Sequence, residues 1–173
     1  MKPALIAVDG IDADGLLTAA ARRAIGSDRA GISRWDASGV FQELSVADAE
    51  AGAPSARVLL LLYAADLAFR LRWEIRPALA EGRSVAAAPY LSTAFAFGRA
   101  AGVPVGWLSN LFRFAPRPGE QKVVYPSSVP AVSSVDGFVG FSCRHMASAN
   151  GLTGKQVLER TVGYLREADR KKK

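Results

Sequence analysis

The chain has 173 residues, half of them apolar, which is enough to bury one sizeable core and to form a single domain over residues 1–170. Its formal charge is +6, partly held in a basic tail at 171–173, and no basic-and-aromatic stripe accompanies it, which argues against a nucleic-acid partner. No apolar run approaches the roughly 18 residues of a membrane span. The N-terminus lacks the h-region and cleavage site of a signal peptide, and the lone Cys143 excludes an internal disulfide framework. A cytoplasmic protein without a membrane partner is expected.

In chain order, "ALIAVDG" is a short apolar strand ending in Asp-Gly, and "LLTAAARRAIG" is the helix that Gly26 closes. A second short strand is expected in "AGISRWDA". The next strong element is a helix from Ala56 to Ala80. Leu67, Leu71, Ile75 and Leu79 form one apolar row along it, and Leu62, Phe69 and Trp73 form another. Two rows exceed what one sheet face needs, so this helix is expected to be buried on two sides, by a second copy of the chain in a homodimer or, as the alternative, beneath the C-terminal segment.

"GRSVAAAPY" reads as a third buried strand, followed by helices in "LSTAFAFGRAAG" and "PVGWLSNLFRFA". A fourth strand follows the Pro-Gly turn of "RPGEQKVVYPSSVP", with Pro126 ending it. "SSVDGFVGFSCRHMASANG" is expected to be a short strand or a loop folded over the pocket. The last helix, in "LTGKQVLERTVGYLREADRKKK", is expected to bury Val157, Val162, Tyr164 and Leu165. Strands alternating with helices predict an α/β fold in three layers, a short parallel sheet of four or five strands flanked by helices.

The stretch "GIDADGLLTAA" sits where a phosphate-gripping loop would sit, after a strand and at the mouth of a helix. Gly10 and Gly15 keep the glycine spacing of such a loop, but Leu16 and Leu17 replace its lysine and its metal-binding hydroxyl. No cluster of His, Cys and carboxylates has metal-ligand spacing, and neither a metal nor a cofactor is expected.

Further on, "LLLYAADLAFRLRWEIRPALAEGRSVAAAPYLSTAFAF" resembles the thymidylate kinase family without a gap. "LIAVDGIDADGLLTAA", "RPGEQKVVYPSSVPAV" and "VLERTVGYLREA" are similar to its loop, its later strand and its late helix. The resemblance spans nearly the whole chain and is loose between Ala131 and Lys155. It implies a P-loop kinase-like fold, and it also shows where the kinase chemistry is missing. The loop lysine is Leu16 and the magnesium hydroxyl is Leu17. The arginine after "AAD" is Leu67, and the "DRY" signature has become Ala88, Pro89 and Tyr90. Phosphoryl transfer rests on positioned positive charge and metal, so an active dTMP kinase is not expected. The chain is expected to be a pseudoenzyme that binds a small non-phosphorylated ligand or a partner chain. A repurposed acid–base enzyme and a purely structural dimerising subunit are the alternatives.

Several polar residues remain. The resemblance matches Asp12 to an aspartate on the sugar hydroxyl of the acceptor, Tyr63 to an aromatic that stacks on thymine, and Thr18 to a retained hydroxyl. Asp66 keeps its place in "AAD", and Arg34 and Arg70 are the cations nearest the acceptor site. Gly10, Asp12, Asp14, Gly15, Thr18, Arg34, Tyr63, Asp66, Arg70 and Tyr90 are therefore the candidate ligand residues. Each also has a plainer reading: turn glycines at Gly10 and Gly15, an N-cap at Asp14, a helix hydroxyl at Thr18 and a core ring at Tyr63. Asp9 ends a parallel strand, the edge that faces a ligand crevice. If the protein is an enzyme, Asp9, Asp12 and His145 are the acid–base candidates. Cys143 and His145 would share a side if they lay on a strand, which permits a nucleophile–base pair.

Overall fold

The computed structural model describes residues 2–24, 31–46, 52–148 and 150–170. Gly26 and the lysine tail lie outside the described residues.

The first apolar run forms strand β1, Leu5–Gly10, buried along its whole length. Helix α1, Ala13–Ala24, leads away from it. The second expected strand is β2, Gly31–Arg34, which pairs in parallel with β3, Val85–Ala88. β1 pairs in parallel with β3 on one side and with β4, Glu120–Val124, on the other. The result is a four-stranded sheet in the order β2-β3-β1-β4. In such sheets the ligand crevice opens at the carboxyl ends of the strands, where the strand order reverses.

Alternation along β1 divides the core between two faces. Ile6 and Val8 pack with Leu16, Ala20, Ala86 and Ala88 beneath α1. Leu5 and Ala7 turn the other way, into the larger cluster. That face is covered by α5, Leu91–Ala100, and by α8, Gly154–Arg170, which pack closely on each other. The three-layer α/β expectation holds. Val157, Val162 and Leu165 are buried on α8 as the pattern predicts. Tyr164 is only partly buried, and Leu158 and Thr161 take up the rest of the inward face.

The stretch from Ala56 to Ala80 is helical throughout, in three pieces: α3, Ala56–Arg70, a π-helical turn at Leu71–Ile75, and α4, Arg76–Ala80. A four-residue row overshoots an α-helical turn by about 40° at each step. The wider winding of the π turn takes that drift back. Leu67, Leu71 and Ile75 therefore all stay buried. The second row is split: Leu62 is partly buried against the core, whereas Phe69 and Trp73 are 38% and 61% exposed.

The segment expected as a strand or loop is a helix, α7, Phe138–His145. Gly137, at φ 101°, supplies the left-handed backbone that starts it. Gly140 lets it approach the Val135 carbonyl so closely that a Cβ would lie 1.8 Å from that oxygen. Two shorter α-helices among the described residues are α2, Val40–Val46, and α6, Val105–Leu111. Among the described residues, no helix is long and apolar enough to cross a membrane.

Candidate functional site

A phosphate loop needs a wide turn whose amides point inward at the anion. Here only Ile11 and Asp12 separate β1 from α1. Asp12 caps the helix, its Oδ1 accepting from the Asp14 amide at 3.2 Å, while the Leu16 amide donates to the Asp12 carbonyl at 2.9 Å. The cap is thus Asp12, and Asp14 is a first-turn carboxylate rather than the N-cap. The Leu16 side chain turns under the helix into the apolar cluster of β1 and β3 and is 4% exposed. Gly10 has a packing reason to be glycine: a Cβ there would lie 2.4 Å from the Val124 carbonyl oxygen.

Asp9, at the end of β1, is fully buried. Its Oδ1 accepts from the Tyr90 amide at 2.9 Å, the Thr93 amide at 3.0 Å and the Thr93 hydroxyl at 2.9 Å. Its Oδ2 accepts from Gln121 Nε2 at 3.4 Å. A carboxylate at the N-terminus of α5 suits the helix dipole and satisfies amides that the helix leaves free. Tyr90 is buried too, and its hydroxyl donates to the Pro116 carbonyl at 2.6 Å. Burial pushes that phenol up to about 12.

Tyr63 is a core ring. Its hydroxyl donates to the Tyr90 carbonyl, and burial raises its phenol above the ordinary range. Phe138, the first residue of α7, lies with its ring centroid 4.5 Å from that of Tyr63. Phe138 also meets Phe41 at 5.7 Å and Phe97 at 5.2 Å. The ring that the resemblance sets aside for a base is therefore covered by the protein's own aromatic cluster.

Arg70 and Asp66 are both fully buried, one helical turn apart on α3, with Arg70 Nη1 4.0 Å from Asp66 Oδ2. Arg70 donates to the Ser33 hydroxyl at 3.0 Å, the Ser33 carbonyl at 2.8 Å and the Pro89 carbonyl at 3.0 Å. Asp66 accepts from the Asp36 and Ser38 amides at 3.1 and 3.0 Å and from the Ser38 hydroxyl at 2.8 Å. The pair ties α3 to the ends of β2 and β3. It is an internal brace, turned away from solvent.

What remains open is a slot of about 90 Å³ at the carboxyl ends of the strands. Leu16 and Leu17 from α1, Trp35 after β2, Ala88 at the end of β3 and Pro89 after it, and Phe138 from α7 make it apolar. Arg34, exposed at the end of β2, is the charged residue on its lining. Asp12, which caps α1, and Asp14 and Thr18 on α1 are exposed and outside that lining. Gly15 is beside Asp12, where a Cβ would lie 3.3 Å from Oδ2.

Cys143 and His145 do not share a side, because they lie on a helix, where residues two apart point in nearly opposite directions. Cys143 is buried, and burial pushes its thiol up to about 12. His145 is exposed and stacks on Phe141 at 4.4 Å. The structure does not bring Asp9, Asp12 and His145 together: Asp9 is internal, Asp12 is exposed before α1, and His145 is exposed at the end of α7. Among the described residues there is no group of three or more His, Cys and carboxylate side chains placed to hold a metal.

No family model matches the chain. A probable thymidylate kinase of Pyrobaculum calidifontis is 34% identical over 114 residues, which cover 65% of this chain. The chain spans 59% of the length of that relative. A solved thymidylate kinase from Ehrlichia chaffeensis has the same fold, with a TM-score of 0.70 over 99% of this chain and 89% of its own, at 15% identity. The chain has a thymidylate-kinase-like fold and is similar in sequence to a thymidylate kinase over part of its length.

Within this thymidylate-kinase-like frame, three residues that pattern reasoning missed shape the site. Phe138 fills the aromatic pocket, Thr93 anchors Asp9, and Trp35 walls the slot. The 138/141 spacing of the two phenylalanines was the available helix signal for the first. Thr93 and Trp35 carry no local signal, because what defines them is contact across the chain.

Proposed function

We propose that this chain is a thymidylate-kinase-like pseudoenzyme, without phosphoryl transfer, that binds a small non-phosphorylated ligand in the slot between Leu17, Trp35, Pro89 and Phe138. The observation that carries the reading is at the β1–α1 junction. Leu16 fills the space under α1 with hydrocarbon, and its amide is spent on the Asp12 carbonyl. Phosphate in an apolar slot without a loop lysine would lose hydration with little in return. A compact apolar molecule with one hydrogen-bonding edge turned toward Arg34 suits the lining better. The acid–base alternative gains no support from three carboxylate and imidazole groups that lie apart.

Thermal shift is the direct test, since a ligand that binds the folded state raises the melting point. ATP with magnesium, dTMP and dTDP are expected to give no shift. A library of small neutral and monoanionic aromatics is expected to give shifts that Leu17→Trp abolishes by filling the slot. A saturable shift with ATP and magnesium would overturn the proposal.

The outward row of the long helix favours a second element of function, association with a second copy. Val58, Leu61, Phe69 and Trp73 expose between 38% and 61% of their surface along α3 and the π turn. An apolar stripe of that kind is expected at an isologous dimer seam. Sedimentation equilibrium of the purified chain tests it.

A further inference from the structure

Strand alternation decides which β4 side chains meet α1. Gln121 and Val123 turn toward the α5 side, where Gln121 reaches Asp9 and Val123 is buried. Lys122 and Val124 therefore turn to the α1 side, level with Val8 and Gly10 of β1. Among the described residues β4 is an edge strand of the sheet, and the angle between it and α1 is open. That angle is a groove of about 580 Å³, floored by small residues of α1 and lined by Thr18, Arg22, Arg23, Lys122 and Val124.

The charged residues on its lining are all cations. Glu120, at the start of β4, holds Arg23 at 2.7 Å. Asp14 is one helical turn before Thr18 and is not part of the lining. Arg22 and Lys122 have no carboxylate within ion-pair distance among the described residues. Arginines in the last turn of a helix also complement its dipole, which accounts for Arg22 and Arg23. It does not account for a lysine brought to the same concavity from a strand far along the chain.

We propose that this groove binds a small polyanion, a molecule carrying two or more phosphate or carboxylate groups. Its volume falls in the range of small-molecule sites, about 300–1,000 Å³. Its cations converge on one concavity instead of running in the stripe that a nucleic-acid backbone requires. A guanidinium fork at Arg22 matches either oxyanion in a two-point contact, and Lys122 adds a point charge from the opposite wall. This site does not depend on the slot on the other side of Leu16, and either can exist without the other.

The test is isothermal titration of the full chain with tripolyphosphate and, separately, citrate, at 0.15 M salt. One-to-one binding of at least one of the two is expected, and the pair separates a phosphate site from a carboxylate site. Arg22→Ala and Lys122→Ala are each expected to weaken it at least tenfold. Both residues are exposed, so the unfolding midpoint should hold and exclude a folding defect. Leu17→Ala, in the slot, is expected to leave the affinity unchanged. No saturable binding of either anion, or undiminished binding in the Arg22→Ala/Lys122→Ala double variant, would overturn the proposal. A loss on Leu17→Ala equal to that on Arg22→Ala would also overturn it, by placing the anion in the slot.

Discussion

The Leu16 amide donates to the Asp12 carbonyl at 2.9 Å. That bond makes the segment after β1 a helix where a phosphate site would need an open loop with free amides. The Leu16 side chain reinforces it by packing under α1 with Ile6, Val8 and Ala86. The proposed loss of phosphate chemistry thus rests on the backbone as well as on side chains.

Restoring the lysine alone is therefore expected to fail. Leu16→Lys places an ammonium in an apolar cluster and should cost about 2–4 kcal/mol of stability in urea unfolding. Calorimetry should detect no binding of ATP with magnesium to this variant. Saturable ATP binding would show that the loop can still open.

The internal brace gives a second expectation. Arg70→Met keeps most of the volume but removes the donors to the Ser33 and Pro89 carbonyls and leaves Asp66 without its cation. Breaking a buried pair in this way typically costs about 3–5 kcal/mol. A loss below about 1 kcal/mol would mean that the amides of the 36–38 turn satisfy Asp66 by themselves.

Asp9 separates a structural role from a catalytic one. Asp9→Ala orphans the Tyr90 and Thr93 amides, each worth about 1–3 kcal/mol when buried and unsatisfied. Asp9→Asn keeps an acceptor for both and should cost about 1 kcal/mol, chiefly by removing the charge at the start of α5. Equal losses in the two variants, measured by chemical denaturation, would contradict this ordering.

Alkaline pH should weaken the fold. Burial raises the Cys143 thiol from an ordinary 9.0 to about 12 and the Tyr90 phenol from 10.0 to about 12. Both groups hold their protons more tightly in the folded chain than in the unfolded one. Their contribution is complete below about pH 9 and is lost as pH rises from there toward 12. Unfolding midpoints from pH 7 to 11 measure the decline, and a thiol reagent at pH 8 should react with Cys143 only after unfolding.

Charge on the outward helix face should separate the copies. Leu61→Glu and Trp73→Glu alter residues that are 50% and 61% exposed, so the monomer should keep its circular dichroism. Each is expected to shift sedimentation from dimer to monomer. A wild-type chain that already sediments as a monomer would sink the dimer reading.

Local pattern carried a large share of the fold. β1, β3 and α5 were legible because each is apolar at its own period and bounded by turn residues, and parallel strands joined by helices follow from that order. The departures at Leu16, Leu17, Leu67 and Ala88 were equally visible, since a residue type can be read without coordinates. α7 was misread because glycines and serines flank its short apolar spacing, and helix and strand patterns coincide over so few residues.

The sequence by itself determined that leucines stand at positions 16 and 17, where the pattern it resembles has a lysine and a hydroxyl, because residue identity at fixed spacing needs no coordinates. Tertiary structure alone decided what fills the gap. Asp9 became an anchor for α5 because Thr93 and Tyr90, more than eighty residues away, bring their donors to it. Tyr63 became a core ring because Phe138 lands on it, and Lys122 shares a groove with Arg22 only because β4 pairs with β1 in one register. Local preference falls off within a few residues, whereas burial and hydrogen bonding depend on whichever distant groups packing brings near.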